Sequence, residues 1–408
     1  RYGNLFDKVW RPDILAEAWK RVSANRGAPG VDGKSIRWLR EEYGVDRLLE
    51  ELGELLRAGD YKPDLIKRVF IPKGDGRERP LGIPTVIDRV VQMAVKLVIE
   101  PLFEADFLPC SFGFRPQLSS CQAIAVIDDH LRRGYRWVVD VDLKSYFDTI
   151  AHERLLELVQ RRVTDRKIVR LIRLWLKAGI LHKGEVEYPE LGSPQGGVLS
   201  PLLANIYLHA VDREWQQRSP RAVLVRYADD MLILCPTEQD ARREYEHLQA
   251  VLAELELTLN TAKTRLTPAR DGFDFLGFSF RRGIYTRNGT RREIIVKVPR
   301  RKAEQGMRTK LKDAAKDLHL GDPLDPLVKR FNAMLRGWVN YFRIGNVYAA
   351  IKGLVKHACA QLRIHLRRRY SRKGSPYSRR WPDRTFHNTY GLLTVTELLQ
   401  RRRSNAYT

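Results

Sequence analysis

The chain has 408 residues, 43% of them hydrophobic and 30% charged, a length and composition that call for two or three soluble globular domains. No apolar run reaches the roughly 20 residues of a membrane span and the first residues lack a signal-peptide pattern, so a cytoplasmic chain with no membrane partner is expected. The scattered cysteines Cys110, Cys121, Cys235 and Cys359 form no Cys-x-x-Cys pair, which argues against a zinc site or a disulfide framework. The net charge of +24 is unevenly placed: residues 1–280 hold 42 basic and 41 acidic side chains, whereas residues 281–408 hold 31 and 8. A field concentrated in the last third, with Trp338, Tyr341, Phe342, Tyr370, Tyr377 and Trp381 interleaved, favours a polyanion, nucleic acid first.

In chain order, helical spacing over residues 12–21 is broken by the Gly- and Pro-rich loop 25–33, and a second amphipathic helix fits residues 35–57. Residues 66–72 read as a strand, followed by the turn-rich Lys73-Gly74-Asp75-Gly76-Arg77-Glu78-Arg79-Pro80 and a short return strand; the tip reads either as a phosphate clamp or as an ordinary solvated turn. Residues 86–104 read as a buried helix, 111–116 as an aromatic loop, and 122–133 as a helix. The strand 135–142 follows, its alternation placing Asp140 and Asp142 on one face. Helices over 152–178, a hairpin ending at 192–197, and a helix over 200–215 opening on Ser-Pro complete this part. After an apolar hairpin at 222–235 come a helix over 238–256 and a strand over 273–280. From Pro299 the pattern is helical, over 300–317, 326–342 and 349–369, and residues 371–384 read as extended and basic. The order is α+β rather than repeating βαβ, with a boundary near 285–300.

Chemistry concentrates at Arg226-Tyr227-Ala228-Asp229-Asp230. Two β-branched and aliphatic runs flank the aspartates, so the carboxylates sit at or beside a hairpin turn. Adjacent like charges there call for a compensating cation, and hard divalent ions prefer carboxylate oxygens; the plain alternative is a solvated surface turn. If the end of the 135–142 strand lies beside that turn, three carboxylates converge, which is what two-metal phosphoryl transfer requires.

Tyr227-Ala228-Asp229-Asp230 and Asp142-Leu143-Lys144-Ser145-Tyr146-Phe147-Asp148 resemble the two metal-binding motifs of reverse transcriptases. Ser193-Pro194-Gln195-Gly196-Gly197-Val198-Leu199-Ser200-Pro201-Leu202-Leu203-Ala204-Asn205 between them resembles the form found in bacterial group II intron reverse transcriptases. The loop 25–33, the hairpin 71–84, the loop 111–116, Phe275-Leu276-Gly277-Phe278, and Leu335-Arg336-Gly337-Trp338-Val339-Asn340-Tyr341-Phe342 resemble further segments of that family, in the same order.

The resemblance implies a right-hand polymerase: fingers and palm with an antiparallel palm sheet over 1–290, including an N-terminal extension over 1–60. An all-helical thumb or maturase domain over 295–370 and a basic nucleic-acid-binding tail over 371–408 would follow. It implies two Mg²⁺ ions held by Asp142, Asp229 and Asp230 with the backbone at Leu143, Asp142 being preferred to Asp140 on the family's spacing to Phe147. Phe147 would be the steric gate that selects dNTPs; Lys73 and Arg79 would hold the triphosphate and Gln195 would line the pocket. Lys263 would give a proton to pyrophosphate. Asn25, Arg26, Gly27, Arg115, Leu276 and Gly277 would contact template or primer.

The implied function is RNA-directed DNA synthesis on an RNA template with a DNA or RNA primer, together with maturase assistance to a group II intron RNA. The His/Cys-rich endonuclease pattern found in some family members is not seen after residue 370. The same lineage also serves defence, spacer acquisition and DNA repair, and a polymerase-inactive splicing chaperone is the rival from another class. Monomer and homodimer both remain open.

Overall fold

The computed structural model describes residues 1–72, 78–192, 196–218, 221–370 and 380–400. They pack as two compact units, residues 1–123 with 139–266, and residues 124–138 with 267 onward.

The first unit opens with α1 (Phe6–Val9) and α2 (Pro12–Ala24), which starts on proline and buries Leu15, Ala18, Trp19 and Val22 along one stripe. The single helix expected over 35–57 is interrupted. The short α3 (Ile36–Trp38), whose first turn is capped by the Ser35 hydroxyl, runs into a π-helical turn at Leu39–Tyr43, and α4 (Val45–Ala58) begins afresh. Between them Gly44 stands at φ 93°, a left-handed conformation that ends the first segment and that few other residues tolerate.

The strands β1 (Ile66–Pro72) and β2 (Glu78–Ile83) pair antiparallel, in register from Lys67 opposite Ile83 to Pro72 opposite Glu78. Helix α5 (Val86–Glu104) has the span expected, and it is apolar nearly all round, with Val86, Val90, Val91, Ala94, Val95 and Ile99 fully buried. Then come α6 (Ser120–Arg132), β3 (Trp137–Val141), α7 (Tyr146–Thr149), α8 (His152–Gln160) and α9 (Arg166–Leu176). The hairpin β4 (Ile180–His182) and β5 (Glu185–Glu187) joins the first sheet, giving the order β2-β1-β4-β5. Helix α10 (Ser200–Arg218), β6 (Val223–Tyr227), β7 (Asp230–Cys235), α11 (Glu238–Glu254) and β8 (Arg265–Pro268) follow, and a second sheet has the order β6-β7-β3-β8.

In the second unit the strand expected over 273–280 is two strands, β9 (Phe273–Phe275) and the start of β10 (Phe278–Arg287), reversed about Leu276-Gly277. A third sheet, ordered β11-β10-β9, is completed by β11 (Thr290–Pro299). Three helices follow, α12 (Arg301–Lys316), α13 (Asp325–Phe342) and α14 (Tyr348–Arg369), and then short helices at Asp383–Asn388 and Val395–Gln400. Among the described residues no helix is long and apolar enough to cross a membrane.

Two buried polar networks hold the first unit. In one, Asp88 on α5 accepts from the Tyr61 hydroxyl at 2.6 Å and from the Asp64 amide at 3.2 Å, while Trp175 Nε1 donates to the Tyr61 oxygen at 3.1 Å. In the other, the guanidinium of Arg226 on β6 meets the Asp212 carboxylate on α10 in a two-pronged pair at 2.8 and 2.5 Å, both side chains fully buried. Burial raises the Asp88 carboxyl from its ordinary 3.8 to about 6, against the hydrogen bonds from Tyr61 and Thr85.

Because that folded value lies above the unfolded one, the group binds its proton more tightly in the folded chain. Its contribution is full below pH about 3.8 and is lost as pH rises through about 6, a swing on the order of 3 kcal/mol. Denaturation curves at pH 5 and pH 7.5 should therefore differ more for the native chain than for Asp88→Asn; equal pH responses would refute the assignment. Asp212→Ala leaves a buried guanidinium unpaired and should cost about 3–5 kcal/mol, whereas Asp212→Leu combined with Arg226→Met should recover most of that loss. Urea titration of the three proteins measures it, and a double variant no better than the single one would contradict the pairing.

Candidate active site

Strands β6 and β7 pair from Val223 opposite Leu234 to Tyr227 opposite Asp230, which leaves Ala228 and Asp229 as a two-residue turn. Such turns follow the strand twist best with positive φ, and Ala228 stands at φ 57°, an uncommon place for a residue with a Cβ. The surrounding contacts hold it there. Arg226 Nη1 donates to the Ala228 carbonyl at 3.1 Å and to Asn205 Oδ1 at 2.9 Å, and Asn205 Nδ2 donates to the Gly113 carbonyl at 2.8 Å. The loop 110–113 runs beside β6: the Phe112 amide donates to the Arg226 carbonyl at 2.8 Å and the Arg226 amide to the Cys110 carbonyl at 2.7 Å. Gly113 presses so closely on the turn that a Cβ there would lie 2.3 Å from the Ala228 nitrogen. Sequence reasoning passes over Asp212 and gives no supporting role to Asn205, Arg226 or Gly113, although the segments it singles out contain them. A signal was available: an arginine inside an apolar strand, and Asn205 and Asp212 two helical turns apart on one face of α10.

Asp142 follows directly on β3, the neighbour of β7 in the sheet. Its backbone is fixed from the other side: the carbonyl accepts from the Asn260 amide at 2.8 Å, the amide donates to Thr264 Oγ1 at 3.3 Å, and Leu143 bridges to Leu259. The 260–264 turn carries Lys263, whose Nζ lies 3.3 and 3.4 Å from the two Asp142 carboxylate oxygens. Burial pushes the Asp229 carboxyl above its ordinary value and the negative charge of Asp142 pushes it further, opposed by a backbone hydrogen bond and by Arg226.

Asp142 and Asp229 therefore lie near enough for their like charges to repel. Asp230 is exposed at the first position of β7, directly after the turn that carries Asp229. Among the described residues no group of three or more His, Cys, Asp or Glu side chains is gathered closely enough to hold a metal ion. The pair, two hard oxygen donors with mutual repulsion, still fits a divalent cation chemically.

Phe147 is half-buried on α7, edge-on to Tyr146 at 5.3 Å, and Tyr146 is anchored by its hydroxyl to the Ala204 carbonyl at 2.7 Å. With Arg68, Phe70, Pro80, Gly82 and Tyr188 it lines a cavity of about 540 Å³. Arg79 is exposed on β2 opposite Ile71. Lys73 and Gln195 lie outside the described residues.

Asn25, Arg26 and Gly27 follow the end of α2; Arg26 and Gly27 line a second cavity, of about 690 Å³, with Lys20, Arg37 and Arg40. Arg115, expected at the template, is engaged by its own loop. It grips Glu104 at 2.6 Å, donates to the Leu108 and Ser111 carbonyls at 2.7 and 2.8 Å, and stacks over Phe107. It braces the segment that presses on the Ala228 turn. Leu276 and Gly277 belong to the second unit, where the Tyr341 hydroxyl donates to the Leu276 carbonyl at 2.9 Å and Phe342 packs within 3.4 Å of the place a Gly277 Cβ would take.

Residues 71–280 match the family described as reverse transcriptase (RNA-dependent DNA polymerase), and residues 305–385 match the group II intron, maturase-specific domain. Protein YkfC of Escherichia coli is 37% identical over 318 residues, covering 68% of this chain and 82% of that protein. The group II intron-encoded protein LtrA of Lactococcus lactis is 35% identical over 238 residues, covering 56% of this chain and 39% of LtrA. Nuclear intron maturase 4, mitochondrial, of Arabidopsis thaliana is 29% identical over 54% of this chain and 26% of its own length. The chemistry common to this family is metal-dependent nucleotidyl transfer, and its fold is the mixed helix-and-sheet reverse transcriptase fold seen here. The chain belongs to the reverse transcriptase family, as an RNA-directed DNA polymerase that also carries a group II intron maturase domain.

Proposed function

We propose that the chain copies RNA into cDNA at the Asp142–Asp229 pair and assists the splicing and mobility of a group II intron RNA through its basic last third. The observation that carries the polymerase site is the placement of Asp142 directly after β3 and of Asp229 directly before β7, neighbouring strands of one sheet, although the two residues are far apart in sequence. Asp142 and Asp229, with Asp230 and the backbone at Leu143, would hold two Mg²⁺ ions, whose chemistry is to acidify the primer 3′-hydroxyl and neutralise the leaving pyrophosphate.

The protein's own groups would do the rest. Lys263, ion-paired with Asp142, would be the proton donor for the leaving group. Phe147 would close the cavity floor under the sugar, so that a 2′-hydroxyl is excluded by contact. Arg79 and Lys73 would bind the triphosphate, and Gln195 the nucleotide. Arg26, with Lys20, Arg37 and Arg40, would take template phosphates. Residues 1–290 would serve as fingers and palm, 295–370 as the thumb, with Leu276-Gly277 as a primer contact, and 371–408 as a basic tail.

Primer extension on poly(rA)/oligo(dT) tests the reading. Asp142→Ala and Asp229→Ala should each lower the rate at least about 100-fold with melting temperature retained; extension at the native rate by either variant would remove the pair from the chemistry. Phe147→Ala should admit ribonucleotides in single-nucleotide incorporation, and unchanged dNTP preference would take Phe147 out of the gate.

A further inference from the structure

Between the two matched family regions lies a hairpin that neither covers in full. Strands β10 and β11 pair over ten positions, from Phe278 opposite Pro299 to Arg287 opposite Thr290, a ribbon of about 30 Å. Its base is held: Phe278 and Phe280 are buried, Lys297 pairs with Asp128 at 3.0 Å, and Arg282 donates to the Leu131 carbonyl and to Glu293, both at 2.7 Å. Beyond Phe280 no third strand among the described residues flanks β10, because β9 pairs with residues 278–280 alone.

The outer half carries side chains that a bare ribbon does not need. Ile284 is 70% exposed and Tyr285 52% exposed. Residues 281–299 contain six basic side chains and one acidic one, and Arg281, Arg291 and Arg292 make no ion pair among the described residues. Charged residues often guard a strand edge against pairing with another chain, which accounts for the arginines but not for an uncovered aromatic ring beside them.

Register sorts these residues by face. Arg281, Gly283 and Tyr285 alternate along β10 on one side, and Arg292 stands directly across from Tyr285 on the same side. Gly283 places no side chain of its own between the first guanidinium and the phenol, and Val296 and Ile294, across from Arg281 and Gly283 on β11, lie within van der Waals reach of that place and form a low apolar floor there, with a ring on one wall and cations around it.

We propose that this face is a stacking platform for a single-stranded nucleic-acid segment, in which Tyr285 stacks on a base and Arg281 and Arg292 take the flanking phosphates. Stacking on a ring tolerates any base, and the excess charge selects a polyanion over a neutral protein surface. None of these residues belongs to the polymerase site described above, and the proposal stands whether or not that site is active.

The test is fluorescence anisotropy on the full chain with labelled 12-nucleotide RNA, the same sequence as DNA, and a blunt RNA duplex, each in the presence of saturating unlabelled primer-template. Tyr285→Ala should weaken single-strand binding roughly 5- to 100-fold, and Tyr285→Phe should restore it. Arg281→Ala with Arg292→Ala should lower the slope of log affinity against log salt by about 1.4. Duplex binding and primer extension at saturating primer-template should not change. Weakening on RNA alone identifies the ligand as RNA, and weakening on both strands identifies any single strand. Native single-strand affinity in Tyr285→Ala, failure of Tyr285→Phe to restore it, or a loss confined to duplex or to anionic vesicles would overturn the proposal.

Discussion

The buried pair between Arg226 and Asp212 is the constraint on which the site depends. A fully buried guanidinium is tolerated only when its donors are spent, and here they are divided between the Asp212 carboxylate, Asn205 and the Ala228 carbonyl. The same arginine that anchors helix α10 to strand β6 therefore also fixes a turn whose alanine stands at positive φ. Gly113 closes the arrangement from the other side, and Arg115 stiffens the loop that brings Gly113 in. The result is a carboxylate, Asp229, delivered by a strained but over-determined turn rather than by a mobile loop.

Asp142 is delivered differently. It sits where a sheet strand ends, with its backbone clasped by the 258–264 segment, so its position follows from hydrogen bonds to residues more than a hundred positions away in sequence. Lys263 rides on that clasp and pairs with Asp142, while Asp229 bears the combined penalty of burial and a like-charged neighbour. The near-neutral first unit holds this pair, whereas the last third of the chain carries a large positive excess, a field that favours a polyanion.

How much of this was legible depended on the range of the forces involved. Helix α5 was readable to the residue because uninterrupted apolar periodicity and the Thr85 cap agree. The segment 35–57 was misread as one helix because amphipathic spacing continues across Gly44 and says nothing of its φ. The turn at Leu276-Gly277 was hidden inside an aromatic run that suits a strand on either side. Strands β10 and β11 went unread beyond Phe280, since exposed Ile284 and Tyr285 among arginines do not alternate as a half-buried strand does. At the site, the hairpin pattern places Asp229 at a turn, and motif resemblance singles out Asp142 and Phe147. The supporting Asn205, Asp212 and Gly113 act through tertiary contact and leave little local trace, as do the contacts of Arg115 with Glu104 on α5 and with the Leu108 and Ser111 carbonyls.

The central claim is that Asp142 and Asp229 share a divalent cation, and the most direct measurement is anomalous scattering from Mn²⁺ in crystals of the chain with a chain-terminated primer-template and an incoming dNTP. The account predicts a peak bridged by the two carboxylates, with Lys263 Nζ moved off Asp142. A fully formed ternary complex with Asp142 still paired to Lys263 and no metal between it and Asp229 would contradict it.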